Sequence, residues 1–208
     1  MHKGFLKAGH LPTLFAAFLY FDLSFMTWVL LGPLGVAIAR DLHLNAGQKG
    51  LMVAMPVLAG AFLRVVIGLL VDRYKPKRVG IGAQAVVIAG LLAAWAIGIH
   101  SYEGTLLLGI VLGLAGASFA VALPLASAWY PPEHQGTALG LAGAGNSGTV
   151  LAALFAPGLA IAYGWQNVIA LAAIPLAVTL AVFCLCAKEA PTAPARSEEH
   201  TSELQSPA

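Results

Sequence analysis

The sequence predicts an all-α membrane protein built as a six-transmembrane-helix bundle. Three observations lead there. The chain is 59% hydrophobic and only 10% charged, where a soluble domain carries about 25% charged residues. With a mean hydropathy of +0.84 it has too little polar surface to dissolve. Its apolar residues fall into six runs, each close to the ~20 residues a helix needs to cross about 30 Å of hydrocarbon. Lysine and arginine collect on one side of those runs.

In chain order, residues 1–10 are polar and basic and read as a cytoplasmic N-terminus. The apolar run that follows is too long for a secretory leader and has no small-residue cleavage site, so it reads as a span. The six spans are expected near Leu11–Ala39, Gly50–Val71, Val79–Ile99, Thr105–Trp129, Thr137–Ala162 and Val168–Ala187, so the bundle occupies residues 11–189. Connections are short: Asp72–Arg78 reads DRYKPKR and Tyr130–Gln135 reads YPPEHQ. Lys3, Lys7, Arg73, Lys75, Lys77, Arg78 and Lys188 lie on one side and only Arg40 and Lys49 on the other. By the positive-inside rule, both termini and the loop after the second span are cytoplasmic, and the expected location is the cytoplasmic (inner) membrane. Residues 190–195 read as a polar linker. Arg196–Ser206 (RSEEHTSELQS) resembles, letter for letter, the translation of a common short-read sequencing adapter. Residues 196–208 are therefore expected to be a non-native tail, with genuine coding sequence ending near residue 195.

The informative residues are polar ones inside spans. Arg64 lies within the second span, where a charge at the bilayer centre costs roughly 2.5–3.5 kcal/mol on insertion scales. Such a residue is kept where it faces a cavity and meets something negative. Counting 1.5 Å per residue, Arg64 lies roughly 12 Å, Asn146 roughly 15 Å and Phe119 roughly 16 Å from the cytoplasmic ends of their spans. Three residues from three spans thus share one level near the midplane, where transporters bind their cargo. Asp22 lies well inside the first span. It reads either as a proton carrier or partner for Arg64, or as an interfacial acid if that span starts later, near Phe15. Glycines crowd the fifth span at Gly136, Gly140, Gly143, Gly145 and Gly148, although each costs helix propensity; backbone there is expected to approach a neighbour or a small ligand. Gly109/Gly113 and Gly136/Gly140 are small-xxx-small pairs that permit close helix approach.

Several functions are excluded by what the chain lacks. It has no P-loop, no H-E-x-x-H and no Ser/His/Asp set whose members could meet, so no enzyme and no cofactor is expected. Cys184 and Cys186 are too few ligands for zinc and lie in an apolar run, so no metal site is expected. The basic stretch Asp72–Arg78 is a positive-inside loop, not a nucleic-acid patch. His10, His43, His100 and His134 fall at span ends or in loops and read as solvated.

The pattern Gly68-x-x-x-Asp72-Arg73-x-x-x-Lys77-Arg78 resembles the loop 2–3 signature of the major facilitator superfamily. WYPPEHQGTALG (Trp129–Gly140), followed by AGAGNSG (Ala142–Gly148), resembles the nitrate/nitrite porter family, whose fifth span carries a G-x-G-N-x-G signature. FMTWVL (Phe25–Leu30) and the stretch from Pro56 to Arg64 are similar to the same family. The resemblance implies the N-terminal half of a major facilitator fold that works by alternating access on a small inorganic anion, nitrate or nitrite, by antiport or proton symport. Arg64 would grip the anion and Asn146 would hydrogen-bond it. Gly145 and Gly148 would let the fifth span approach it, and Phe119 would pack on its flat face, with Phe25 in the same site. Asp22 would be the proton-coupling candidate. Gly68, Asp72, Arg73, Lys77 and Arg78 would form the gating loop, with Gly68 packed closely. A planar fork of guanidinium donors suits a planar anion with three acceptor oxygens. Two departures stand out. The family signature continues to a glutamine, whereas Thr149–Ala153 contains none. The family also has twelve spans, with a second arginine and a second Gly-Asn run, so a missing C-terminal six-helix half is the expected partner, besides the lipid bilayer. The residues also leave open a transporter of another small anion or organic acid, or a non-transporting membrane sensor.

Overall fold

The computed structural model describes residues 4–191. The tail at 196–208 and most of the linker at 190–195 lie outside the described residues. The described chain is helical: α1 (Phe5–Ala8), α2 (Leu11–Trp28), α3 (Leu31–Asp41), α4 (Ala46–Tyr74), α5 (Pro76–Ile97), α6 (Tyr102–Gly116), α7 (Phe119–Ser127), α8 (Pro132–Gly143), a 3₁₀ turn (Ala144–Ser147), α9 (Gly148–Tyr163) and α10 (Trp165–Cys186). These make six stretches long and apolar enough to cross a membrane: Leu11–Asp41, Ala46–Tyr74, Pro76–Ile97, Tyr102–Ser127, Pro132–Tyr163 and Trp165–Cys186.

Most stretches run a few residues beyond the predicted spans, because end signals and not hydropathy decide where a helix stops. Asn45 and Gln48 form a capping box: Asn45 Oδ1 accepts from the Gln48 amide at 2.9 Å, and Gln48 Oε1 accepts from the Asn45 amide at 3.0 Å. Pro76 and Pro132 start α5 and α8, where a missing N–H costs nothing. Ser101 caps α6 through the Gly104 amide at 3.2 Å. Gly164, at φ +81°, makes the reversal between α9 and α10. Asn45→Ala is expected to destabilise the bundle by about 0.5–2 kcal/mol. A lower melting temperature of the detergent-purified chain would show it; an unchanged one would mean that water satisfies this helix end.

The first, fourth and fifth spans are broken. Val29 and Leu30 part α2 from α3, Ala117 and Ser118 part α6 from α7, and the 3₁₀ turn parts α8 from α9. Spans 1 and 4 are the most buried, and spans 2, 3 and 5 the least. One core cluster, nearer the end that carries both termini, joins Tyr20, Phe21, Val121, Leu125 and Phe183. The other joins Leu31, Leu34, Met52, Leu91, Leu112 and Leu176. Trp28 packs against both clusters, and its Nε1 donates to the Pro56 carbonyl at 2.8 Å.

Spans 2 and 4 meet along small residues. A Cβ at Gly113 would come within 2.5 Å of the Ala59 Cβ and 2.8 Å of the Gly60 nitrogen, and one at Gly109 within 2.9 Å of Met55. Gly109/Gly113 is therefore a close-packing pair. Gly136/Gly140 and Gly68 have no such partner among the described residues: a Cβ at any of the three meets nothing within 4 Å. The spacing permits close approach but does not supply the partner helix.

Candidate anion site

The arginine site is assembled by the close packing of spans 2 and 4. Because α4 and α6 approach along glycines, the long Arg64 side chain reaches the break in span 4. There the Ala120 amide bonds the Ala117 carbonyl, three residues back, at 3.0 Å. The Gly116 carbonyl, which an unbroken helix would use at that position, instead accepts from Arg64 Nη2 at 3.3 Å. The break also starts α7 at Phe119, whose ring lies 5.3 Å from the guanidinium carbon, within cation–π range.

Arg64 and Phe119 share a cleft of about 530 Å³ whose walls include Gly68, Asp72, Leu123 and Ser127. Arg64 is half-buried, and its Nε is buried without a hydrogen-bond partner. Among the described residues no carboxylate pairs with it. A cation with unused donors, set in a mostly apolar cleft beside an aromatic face, can hold a small flat anion.

The other predicted site residues fall in two further places. Phe25 is buried in a cluster of tilted and edge-on rings, with centroids 4.2 Å from Phe21 and 4.7 Å from Trp28; Phe21 is in turn 5.8 Å from Phe119. It stands behind the cleft, not on its wall. Gly145 and Asn146 lie in the 3₁₀ turn of span 5, and Gly148 starts α9. The Asn146 side chain is exposed and outside the arginine cleft, and the Asn146 backbone carbonyl accepts from Thr149 Oγ1 at 2.8 Å. Gly148 packs directly on span 1: a Cβ there would overlap the Asp22 carbonyl oxygen. Asp22 is 6% exposed, in a helix that begins eleven residues earlier at Leu11. Its Oδ1 accepts from Ser147 Oγ at 2.8 Å and from the Gly148 amide, so it serves span 5 and not Arg64.

The loop motif lies at the terminus-bearing end. Asp72, Arg73 and Arg78 are exposed, with Arg73 5.4 Å from the Tyr74 ring. The Lys77 amide donates to Glu189 Oε1 and Lys77 Nζ to the Cys184 carbonyl, both at 2.8 Å, fastening span 3 to the end of span 6. Lys75 adopts φ +72°, ψ 144°, a region side-chain-bearing residues rarely occupy. His10 is not simply solvated: its Nδ1 accepts from the Thr13 amide at 3.2 Å and caps α2, and its ring lies 4.8 Å from that of Trp129. The sequence reading missed Gly116, Trp28, Ser147 and Glu189. Of these only Trp28, a tryptophan deep in a span, carried a visible signal.

Residues 14–207 match the Major Facilitator Superfamily model. Among curated relatives, the "probable nitrate/nitrite transporter NarK2" of Mycobacterium tuberculosis is 37% identical over 172 residues, 81% of this chain and 43% of that protein. The "nitrite extrusion protein" of Bacillus subtilis is 32% identical over 155 residues, 74% of this chain and 39% of that one. The "probable nitrate transporter NarT" of Staphylococcus epidermidis is 35% identical over 147 residues, 70% of this chain and 37% of that one. The chain thus spans about two fifths of the length of these relatives. The crystal structure of a bacterial homolog of the human lysosomal transporter Spinster, inward-facing and unoccupied, superposes with a TM-score of 0.74 at 17% identity, covering 97% of this chain and 48% of that one. The six-helix bundle is therefore half of that fold, and the described chain is a multi-pass membrane protein. By the match over nearly its whole length, this chain belongs to the major facilitator superfamily.

Proposed function

We propose that this chain is the N-terminal six-helix half of a nitrate/nitrite transporter, and that Arg64 grips the anion. The observation that carries the reading is a half-buried arginine on a cleft wall with no carboxylate partner, a buried unused Nε and an aromatic ring 5.3 Å away. The relatives' names support the choice of anion. In this reading Phe119 packs on the flat face of the anion, with Phe25 supporting the ring cluster behind it. Asn146 supplies a hydrogen bond to the anion, and Gly145 and Gly148 give the fifth span the close approach this requires.

Residues 11–189 act as one rocking unit, and a second six-helix half completes the site. Exposed apolar side chains on α4 and α9, among them Phe62, Val65, Leu154 and Phe155, suit either lipid or that second half. Gly68, Asp72, Arg73, Lys77 and Arg78 work as the gating loop between the halves. Both termini are cytoplasmic, the membrane is the cytoplasmic one, and the protein carries out transport without enzymatic chemistry or a cofactor. Among the described residues Asp22 is the one carboxylate in the set of buried polar side chains, and it is the proton-coupling residue if uptake is symport. Asp22→Asn should then abolish the pH dependence of uptake, and an unchanged dependence would remove Asp22 from the proton path.

The direct test fuses residues 1–189 to the C-terminal half of the M. tuberculosis relative and measures anion uptake in vesicles. Nitrate uptake competed by nitrite is the expected result. Uptake competed better by chlorate or formate would assign another small anion, and no anion movement would favour a membrane sensor.

A further inference from the structure

We propose that Asp22 is a positioning residue of the anion site, holding the turn that carries Asn146; this rests on the reading of Asn146 as a substrate ligand. Span 5 tightens into a 3₁₀ turn at Ala144–Ser147 and restarts as an α-helix at Gly148, whose amide faces the Asn146 carbonyl within the turn. Span 1 supplies a second acceptor for that amide. Asp22 Oδ1 takes both the Gly148 amide and the Ser147 hydroxyl, immediately after Asn146. The Asp22 backbone carbonyl also sits against the Gly148 α-carbon, where only a glycine fits.

The turn is therefore clamped to span 1 by a side chain and by backbone at one point. Among the described residues the second carboxylate oxygen, Oδ2, accepts no hydrogen bond. One oxygen does all the holding, and an asparagine at position 22 can present an equivalent carbonyl oxygen. Asp22 touches the turn and not the anion, so its effect on binding runs through Asn146.

The test compares Asp22→Ala, Asp22→Asn and Ser147→Ala. Hydrogen–deuterium exchange on the purified chain follows residues 144–150, and nitrate uptake is measured in the fused transporter. Asp22→Ala should speed exchange of this segment and raise KM for nitrate about tenfold with little change in kcat, the size expected for a lost hydrogen bond to a charged group. Asp22→Asn should restore the exchange protection of this segment. Ser147→Ala, which removes one donor and is a mild change should Asp22→Ala not fold, should raise KM roughly threefold. Wild-type exchange and KM in Asp22→Ala would overturn the proposal. So would an Asp22→Asn variant whose residues 144–150 exchange as fast as in Asp22→Ala, since charge and not the cap would then matter. If the unmutated fusion moves no nitrate, the transport reading fails; the exchange data still decide by themselves whether Asp22 holds the turn.

Discussion

Replacing Arg64 with lysine is expected to lower nitrate uptake by the fused transporter roughly 10- to 100-fold, although the positive charge is kept. The two side chains differ in geometry. A guanidinium presents a planar fork of donors, and a hydrogen bond to a charged partner contributes about 1.5–3 kcal/mol. An ammonium is a compact point charge that cannot pair with two anion oxygens in one plane. Nor is it suited to donate to the Gly116 carbonyl at 3.3 Å while facing the Phe119 ring at 5.3 Å. Lysine also loses its charge more readily than arginine when desolvated. Uptake should fall mainly through a raised KM, because the lost contacts are with the bound anion. Wild-type uptake by Arg64→Lys would sink the assignment of Arg64 as the anion ligand.

The second large effect is structural. Gly113→Ala should destabilise the bundle by about 1–3 kcal/mol, the usual cost of overpacking, because the added Cβ would lie 2.5 Å from the Ala59 Cβ and 2.8 Å from the Gly60 backbone nitrogen. Backbone cannot yield as a flexible side chain would, so spans 2 and 4 must separate. Since this contact carries Arg64 to the break in span 4, activity should fall with stability. Gly136→Ala is the control: a Cβ there meets nothing within 4 Å, and alanine is the better helix former by roughly 0.5–1 kcal/mol. Its melting temperature should hold or rise. Equal losses in both variants would mean that the Gly113 contact contributes little.

Much of this fold is legible in the sequence because lipid imposes length and charge asymmetry residue by residue. Six apolar runs and the lysines and arginines of the Asp72–Arg78 loop carry the architecture. Arg64 is legible because a charge so deep in hydrocarbon needs a reason. The breaks at Val29–Leu30 and Ala117–Ser118 are not legible. The helices are apolar nearly all round, so hydropathy does not report where a hydrogen bond is skipped. The glycines of the fifth span signalled a close backbone approach, which Gly148 makes on Asp22, but not the turn. The partner of Asp22 was hidden for another reason: Ser147 lies 125 residues away, and no local pattern encodes that pairing. Gly109/Gly113 and Gly136/Gly140 have the same spacing, yet one pair is buried against a helix and the other faces open space.

On the role proposed for Arg64, the freed carbonyl of Gly116 is a competitor of the anion already in residence. Arg64 is not an abandoned charge, since a backbone oxygen occupies one of its donors. Loading then becomes a trade of one oxygen for another, and unloading the reverse trade. The binding free energy is a difference between two hydrogen-bonded arrangements, which keeps the grip moderate and the return path open. A carrier must release its cargo as readily as it accepts it, and a skipped helical bond beside its arginine is one way to build in that reversibility.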